Sequence, residues 1–253
     1  MIDIPDGKIE TIDYRLAEYY LKCPVRYNFN SISNNDFAYD MYTSLDQTIS
    51  HSSLRLVVSD IPSITSLENQ FLKRFKVKIS KRDSQYSTVQ DILDKYVERG
   101  SKLLRNYHTA ISNIFNKYTV TMPSFDVDYT SNGLSLNIIV PFVMKRKGIK
   151  SGKPKYVLID YYNTTKSWNT YGKLWATAIK LYLMDTGITT IEVGMLNLHH
   201  MKMVDIRPDG SSLARIFLDN MCKLINGHIV YPVYGKHCFG CVYQEMCSSA
   251  ANY

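Results

Sequence analysis

The stretch that decides the fold is "KHCFGCVYQEMC", residues 236–247, which sets Cys238, Cys241 and Cys247 at C-x2-C-x5-C spacing. The chain has 253 residues and only five cysteines, so three of them within ten positions is a concentration that asks for a chemical reason. A C-x2-C pair with one further cysteine lets three thiolates converge on one metal centre. Tetrahedral zinc and a cubane iron–sulfur cluster each take four ligands. The remaining candidates for the fourth position are Cys23, Cys222 and His237. Cys222 falls beside Phe217, Leu218 and Met221 on the apolar side of an expected helix, which is the setting of a plain buried thiol. Cys23 ends another expected helix and is followed by Pro24.

Working outward from this cluster, the chain reads as a globular α/β protein. Hydrophobic residues make up 45% and charged residues 21%, which is enough apolar matter for a full core and too little charge for disorder. The longest apolar run, "LNIIVPFVM", is far too short to span a bilayer, so no membrane partner is expected. The N-terminal "MIDIPDGKIE" lacks a basic segment followed by an apolar one, so no secretion signal is read. An intracellular, cytoplasmic setting follows, where clustered cysteines serve as metal ligands rather than disulfides. Abundant Tyr, Asn, Ile and Lys point to an AT-rich genome of the kind a virus carries.

The net charge is +7, a tilt toward polyanionic partners. Two stretches concentrate it. "KRFKVKISKR" (73–82) holds six basic residues in ten, including Lys73, Arg74 and Lys76, and "KRKGIKSGKPK" (145–155) holds six in eleven, including Lys145, Arg146 and Lys147. The plain reading of each is a solvated hairpin or loop face. The first also fits an edge strand whose lysines block further pairing.

The periodicity divides the chain without internal repeats. "TIDYRLAEYYLK" (11–22) has helical spacing of Ile12, Leu16, Tyr19 and Tyr20, with Asp13 as cap and Pro24 as terminator. Residues 28–85 read as irregular with some helix. Residues 87–117 read as one long helix, or two abutting ones, capped by Ser87 or Thr88. The period then changes to two. Asn132-Gly133 predicts a tight hairpin, and "KYVLIDYYN" (155–163) predicts a central strand. A helix over 168–184 ahead of Gly187, a strand over 188–198 and a helix over 211–227 complete an α-β-β-β-α-β-α order, an α/β arrangement with a central mixed sheet flanked by helices.

The two ends, "IDYRLAEYYLKCPVRYNF" and "YPVYGKHCFGCVYQEMC", resemble the two halves of an iron–sulfur exonuclease. The family is the RecB-like nucleases of the PD-(D/E)xK superfamily, which includes the AddB subunit and the CRISPR-adaptation nucleases. The element order of the middle is similar to that superfamily's core, and residues 30–85 match nothing in it. The resemblance implies one domain over 1–253: a helical N-terminal part (1–86), an α/β core (87–227) and a cysteine tail (228–253). It implies that Cys23, Cys238, Cys241 and Cys247 hold a [4Fe–4S] cluster joining the chain ends, with zinc at the same residues, or at three of them with His237, as the alternative.

The catalytic part of the resemblance is broken. Such nucleases place an acid on the second strand, an Asp or Glu on the third and a Lys two residues later, to hold Mg²⁺ or Mn²⁺ and activate water. Here Asp160 matches the third-strand acid, but Tyr162 takes the lysine position, Pro141 aligns with the second-strand acid, and Ala178 replaces the Gln that precedes Tyr182. One carboxylate holds Mg²⁺ poorly. The expectation is a degenerate site, with Asp160 a remnant. The protein would then bind DNA, single-stranded or duplex, or serve as a subunit of a replication, recombination or transcription assembly. The alternative is an active metal-dependent exonuclease with relocated groups, drawn from Asp126, Asp128, Lys173, Lys180 and His108. His199-His200 reads as loop residues without a metal.

Overall fold

The computed structural model describes residues 11–24, 37–80, 90–149, 152–161, 172–207 and 212–227. The elements in order are β1 (Thr11–Asp13), α1 (Tyr14–Lys22), α2 (Phe37–Val57), α3 (Ile64–Ser80), α4 (Gln90–Phe115), β2 (Tyr118–Met122), β3 (Phe125–Ser131), β4 (Leu134–Val140), β5 (Phe142–Arg146), β6 (Lys155–Asp160), α5 (Lys173–Asp185), β7 (Glu192–Asn197), β8 (Lys202–Ile206) and α6 (Ser212–Asn226). Among the described residues, no helix is long and apolar enough to cross a membrane.

Two mixed sheets replace the single one expected. Strands pair in the orders β1-β4-β3 and β2-β5-β6-β7-β8. The division falls at Pro141, between β4 and β5. Proline has no N–H to give a ladder, so a continuous strand cannot run through it, and the chain leaves one sheet for the other at this point. The predicted hairpin forms at Asn132-Gly133, where φ values of 50° and 76° give the doubly left-handed turn that matches strand twist.

β6 is the middle strand of the larger sheet, antiparallel to β5 and parallel to β7. It is buried at every position, and its side chains alternate between two cores. Val157 and Ile159 join Leu45, Phe71, Leu104 and Tyr107 under α2, α3 and α4. Tyr156 and Leu158 face Trp175, Leu136, Ile138 and Leu218, where α1, α5, α6 and the smaller sheet pack.

Several boundaries differ from the sequence reading. Residues 11–13 are a strand, parallel to β4, and the helix begins at Tyr14. Asp13 is nonetheless its cap: Leu16 N–H donates to Asp13 Oδ1 at 2.9 Å. The region 28–85 contains two regular helices, α2 and α3, and Lys73, Arg74 and Lys76 ride on α3 rather than on a hairpin or edge strand. Strands β2 and β8 are additions to the expected order. Ser87, Thr88 and residues 162–171 lie outside the described residues.

α3 crosses α4 at Gly100, which meets the ring of the fully buried Phe71. An added methyl would overlap that ring, and Phe71 is itself stacked on Phe75 at 5.6 Å. Gly100→Ala is therefore expected to destabilise by roughly 1–3 kcal/mol, although alanine gains about 1 kcal/mol of helix propensity. A urea melt showing the variant more stable than the parent would contradict this packing.

Candidate functional site

The site lies where the parallel strands β6 and β7 end, at the register pair Asp160 and Asn197. Asp160 is the last residue of β6 and is buried. Its Oδ2 accepts the Asn197 Nδ2–H at 2.7 Å, and Asn197 Oδ1 in turn accepts the His200 backbone N–H at 2.7 Å. The carboxylate is thus held by an amide across the ladder.

Beside it, α1 pushes Arg15 into the interior at 4% exposure. Arg15 Nε donates to Asp46 Oδ2 at 3.1 Å, and Nη2 donates to Asp46 Oδ1 at 3.4 Å and to the Ile159 carbonyl at 2.9 Å. Nη1 lies 3.8 Å from Glu18 Oε1. The Tyr161 hydroxyl donates to Asp46 Oδ1 at 2.7 Å, and Trp175 Nε1–H donates to Glu18 Oε1 at 3.0 Å. The rings of Tyr14 and Tyr161 flank the guanidinium at 4.5 and 4.7 Å from their centroids. Burial opposes the charge on Arg15, but Asp46, Tyr14 and Glu18 outweigh it and keep the group protonated. Burial, then Asp46, holds Tyr161 well above the usual tyrosine range, so it remains a neutral donor. Asp13 sits at the rim, bonded by the Tyr39 hydroxyl; burial pushes its carboxyl up against the pull of that bond and of the Leu16 amide.

Arg15, Glu18, Asp46, Tyr161, Trp175 and Asn197 carry this arrangement, and none was singled out from the sequence. The one signal available was an Arg and a Glu three residues apart on a short helix between apolar neighbours.

The residues considered as relocated catalytic groups do not gather at Asp160. Asp126 and Asp128 are exposed on the outward positions of β3, in the smaller sheet, and Asp128 Oδ1 accepts the Asn137 amide at 2.9 Å. Lys173 is exposed on α5, while Lys180 on that helix and His108 on α4 are half-buried. Pro141 and Ala178 are buried packing residues, and Tyr182 packs partly against the core. Among the described residues, no group of three or more His, Cys, Asp or Glu side chains could hold a metal ion.

Cys23 is a buried free thiol just beyond α1. Cys222 is fully buried in α6, where burial and then Asp219 push its thiol up to about 11. Cys238, Cys241, Cys247, His237 and Tyr162 lie outside the described residues.

The two basic stretches are separate. Lys73 and Lys76 are exposed on α3 and Arg74 is half-buried. Gly100 against Phe71 and the 2.9 Å pair between Arg105 and Glu68 show that α3 runs antiparallel to α4. Lys145, Arg146 and Lys147 are exposed at the far end of α4, where Lys147 N–H donates to the Lys117 carbonyl at 2.9 Å. At 1.5 Å per helical residue the two patches are more than about 20 Å apart.

No protein-family model matches the sequence, and no curated protein sequence matches it. A solved structure titled "Crystal structure of SSO0001" superposes with a TM-score of 0.41 and 11% identity, over 96% of this chain and 89% of that one. A likeness this distant identifies neither a fold family nor an activity.

Proposed function

We propose that the chain is a catalytically inactive, nuclease-like protein that binds nucleic acid, alone or within a nucleic-acid-processing assembly. One observation carries the reading: the buried carboxylates at the end of β6 are compensated by protein donors. Asn197 holds Asp160, Arg15 and Tyr161 hold Asp46, and Trp175 holds Glu18. A divalent ion needs several oxygens facing one open position, and a guanidinium planted among the acids fills that role with a fixed charge. The exposed cations Lys73, Lys76, Lys145, Arg146 and Lys147, with the half-buried Arg74, supply phosphate contacts.

In the same reading Cys23, Cys238, Cys241 and Cys247 hold a [4Fe–4S] cluster, with zinc as the alternative occupant. The free thiol of Cys23 fits one ligand position. The cluster acts as a staple for the chain ends and takes no part in chemistry. Mg²⁺ or Mn²⁺ belongs only to an active enzyme.

Two measurements test this together. Labelled single-stranded and duplex DNA with Mn²⁺ are expected to remain intact; cleavage lost in Asp160→Ala would establish the active alternative. A gel shift is expected to weaken with salt. For three neutralised phosphates on a single strand the slope is about −2.1, so a fourfold rise in salt costs roughly 20-fold in affinity. Binding that is absent for DNA and RNA alike, or indifferent to salt, would remove the nucleic-acid role.

A further inference from the structure

Resting on the reading that the chain binds nucleic acid, we propose that a backbone phosphate seats at the carboxyl end of β6 and β7, between Arg99 and Lys102 of α4 and the His199–His200 pair, and that its binding takes up a proton there. The carboxyl ends of adjacent parallel strands are where an open α/β sheet leaves a crevice for ligands. Arg99 is anchored at that end. Its Nη2 donates to the Tyr42 hydroxyl at 2.7 Å, and its guanidinium lies 5.6 Å from the centre of the Tyr42 ring. Tyr42 stacks on Tyr161 at 5.3 Å and 23°, and Tyr161 directly follows Asp160. Arg99 itself remains exposed, as does Lys102 one turn along the same face. Lys78 adds a cation from α3, with its Nζ bonded to the Thr43 hydroxyl beside Tyr42. Lys78 of α3 is thus tied to this end of the sheet, whereas the Lys145 patch lies at the amino end of β6, where Met144 pairs with Lys155.

His199 and His200 follow β7 after Leu198 and close the other side. Burial, then Arg99, His200 and Lys102, push the titration of His199 below the usual histidine range against the pull of the Tyr161 backbone, and its Nε2 is buried without a partner. Asp160, on the neighbouring strand, is held by Asn197. The unliganded site thus keeps His199 neutral near pH 7. A phosphodiester between the cations offsets their field and makes protonation easier. By linkage, a ligand that raises a group's proton affinity binds more tightly as pH falls.

The test uses anisotropy of a fluorescein-labelled oligo(dT) with the full chain, at pH 6 and pH 8 and at two salt concentrations. The wild type is expected to bind several-fold more tightly at pH 6. The double variant Arg99→Ala/Lys102→Ala should lose roughly tenfold in affinity and about 1.4 from the salt slope, with an unchanged melting temperature showing that it is folded. His199→Gln should bind with a smaller dependence on pH than the wild type. If the wild type binds but the double variant binds equally well at both salts, the seat is wrong while the nucleic-acid role stands. Undiminished pH dependence in His199→Gln removes the proton coupling. A wild type that binds no strand at low salt removes the reading itself.

Discussion

Arg15→Ala is expected to be the most damaging single substitution in the described part of the chain, costing roughly 3–5 kcal/mol. The alanine would leave Asp46 with the Tyr161 hydroxyl and would take from Glu18 the guanidinium 3.8 Å away, both carboxylates being buried. It would also orphan the Ile159 carbonyl, which accepts from Arg15 at the last turn of the central strand. A buried ion pair contributes little net stability over an apolar replacement, but one partner left without the other carries the full desolvation cost. That asymmetry gives the control. Arg15→Met with Asp46→Leu should recover the part of the loss that comes from Asp46, while Glu18 still lacks the Arg15 guanidinium. For a chain of this length the single variant should melt roughly 10 °C lower. Urea denaturation of both variants measures the difference. A cost below about 1 kcal/mol for Arg15→Ala would mean that the acids are hydrated or protonated, and the compensated-site argument would lose its footing.

The same cluster shows why the sequence revealed one half of the site and hid the other. Asp160 stands out because it ends the apolar run Tyr156–Ile159, and such a run bounded by a polar residue reads as a central strand ending at an edge. Its partner Asn197 is invisible at that level, since only the parallel register between β6 and β7 brings the two together. Arg15 reads as a surface residue on an amphipathic helix; its burial depends on what α2 presents to it. α2 in turn defeats periodicity. Its inner face carries the apolar row Met41, Leu45, Ile49 and Leu56, but Asp40, Ser44, Asp46, Thr48, Ser52 and Ser53 are buried beside it, so polar residues blur the stripe. Most of these hydroxyls are satisfied, whereas Ser44 Oγ is buried without a hydrogen-bond partner. Thr48 donates to the Ser44 carbonyl at 2.8 Å, Ser52 donates to Ile49 at 2.7 Å, and Ser53 Oγ accepts the Ser124 amide at 2.7 Å.

What proved legible is what local chemistry determines. Asn132-Gly133 makes its hairpin because both residues tolerate positive φ. α4 forms over much of the expected 87–117 because Leu103, Leu104, Tyr107 and Ile111 recur on one face, and α6 stops at Gly227, whose N–H donates to the Lys223 carbonyl at 2.9 Å. What proved illegible depends on partners far along the chain. β1 is three residues long and exists only through its pairing with β4. The basic run at 73–80 alternates like a strand, yet Leu67, Phe71 and Phe75 keep a four-residue period that fixes it as the outer face of α3. Pro141 carried a second lesson. It was read as a lost acid in a strand, whereas its consequence in the fold is the break that separates two sheets.

Cys23→Ser should abolish the proposed metal centre while Cys222→Ser leaves it intact. The two thiols are both free and both buried, so exposure does not separate them. Their positions do. Cys222 lies in the core with Leu218, Met221 and Ile225, where burial and then Asp219 push its thiol up to about 11. Cys23 stands one residue past α1, which ends at Lys22. The tail leaves α6 at Gly227, eleven residues before Cys238, and an extended segment of that length reaches about 36–40 Å, so chain length permits the closure. Protein purified without oxygen should be brown, with a band at about 400 nm and stoichiometric iron. Cys23→Ser should lose both and melt lower, because binding energy at a structural centre is folding energy. Colourless protein carrying zinc that disappears in the same variant would replace iron–sulfur by zinc at the same ligands. Iron retained at full occupancy in Cys23→Ser would show that the first helix and the tail do not share a centre, and the proposed staple between the chain ends would fall with it.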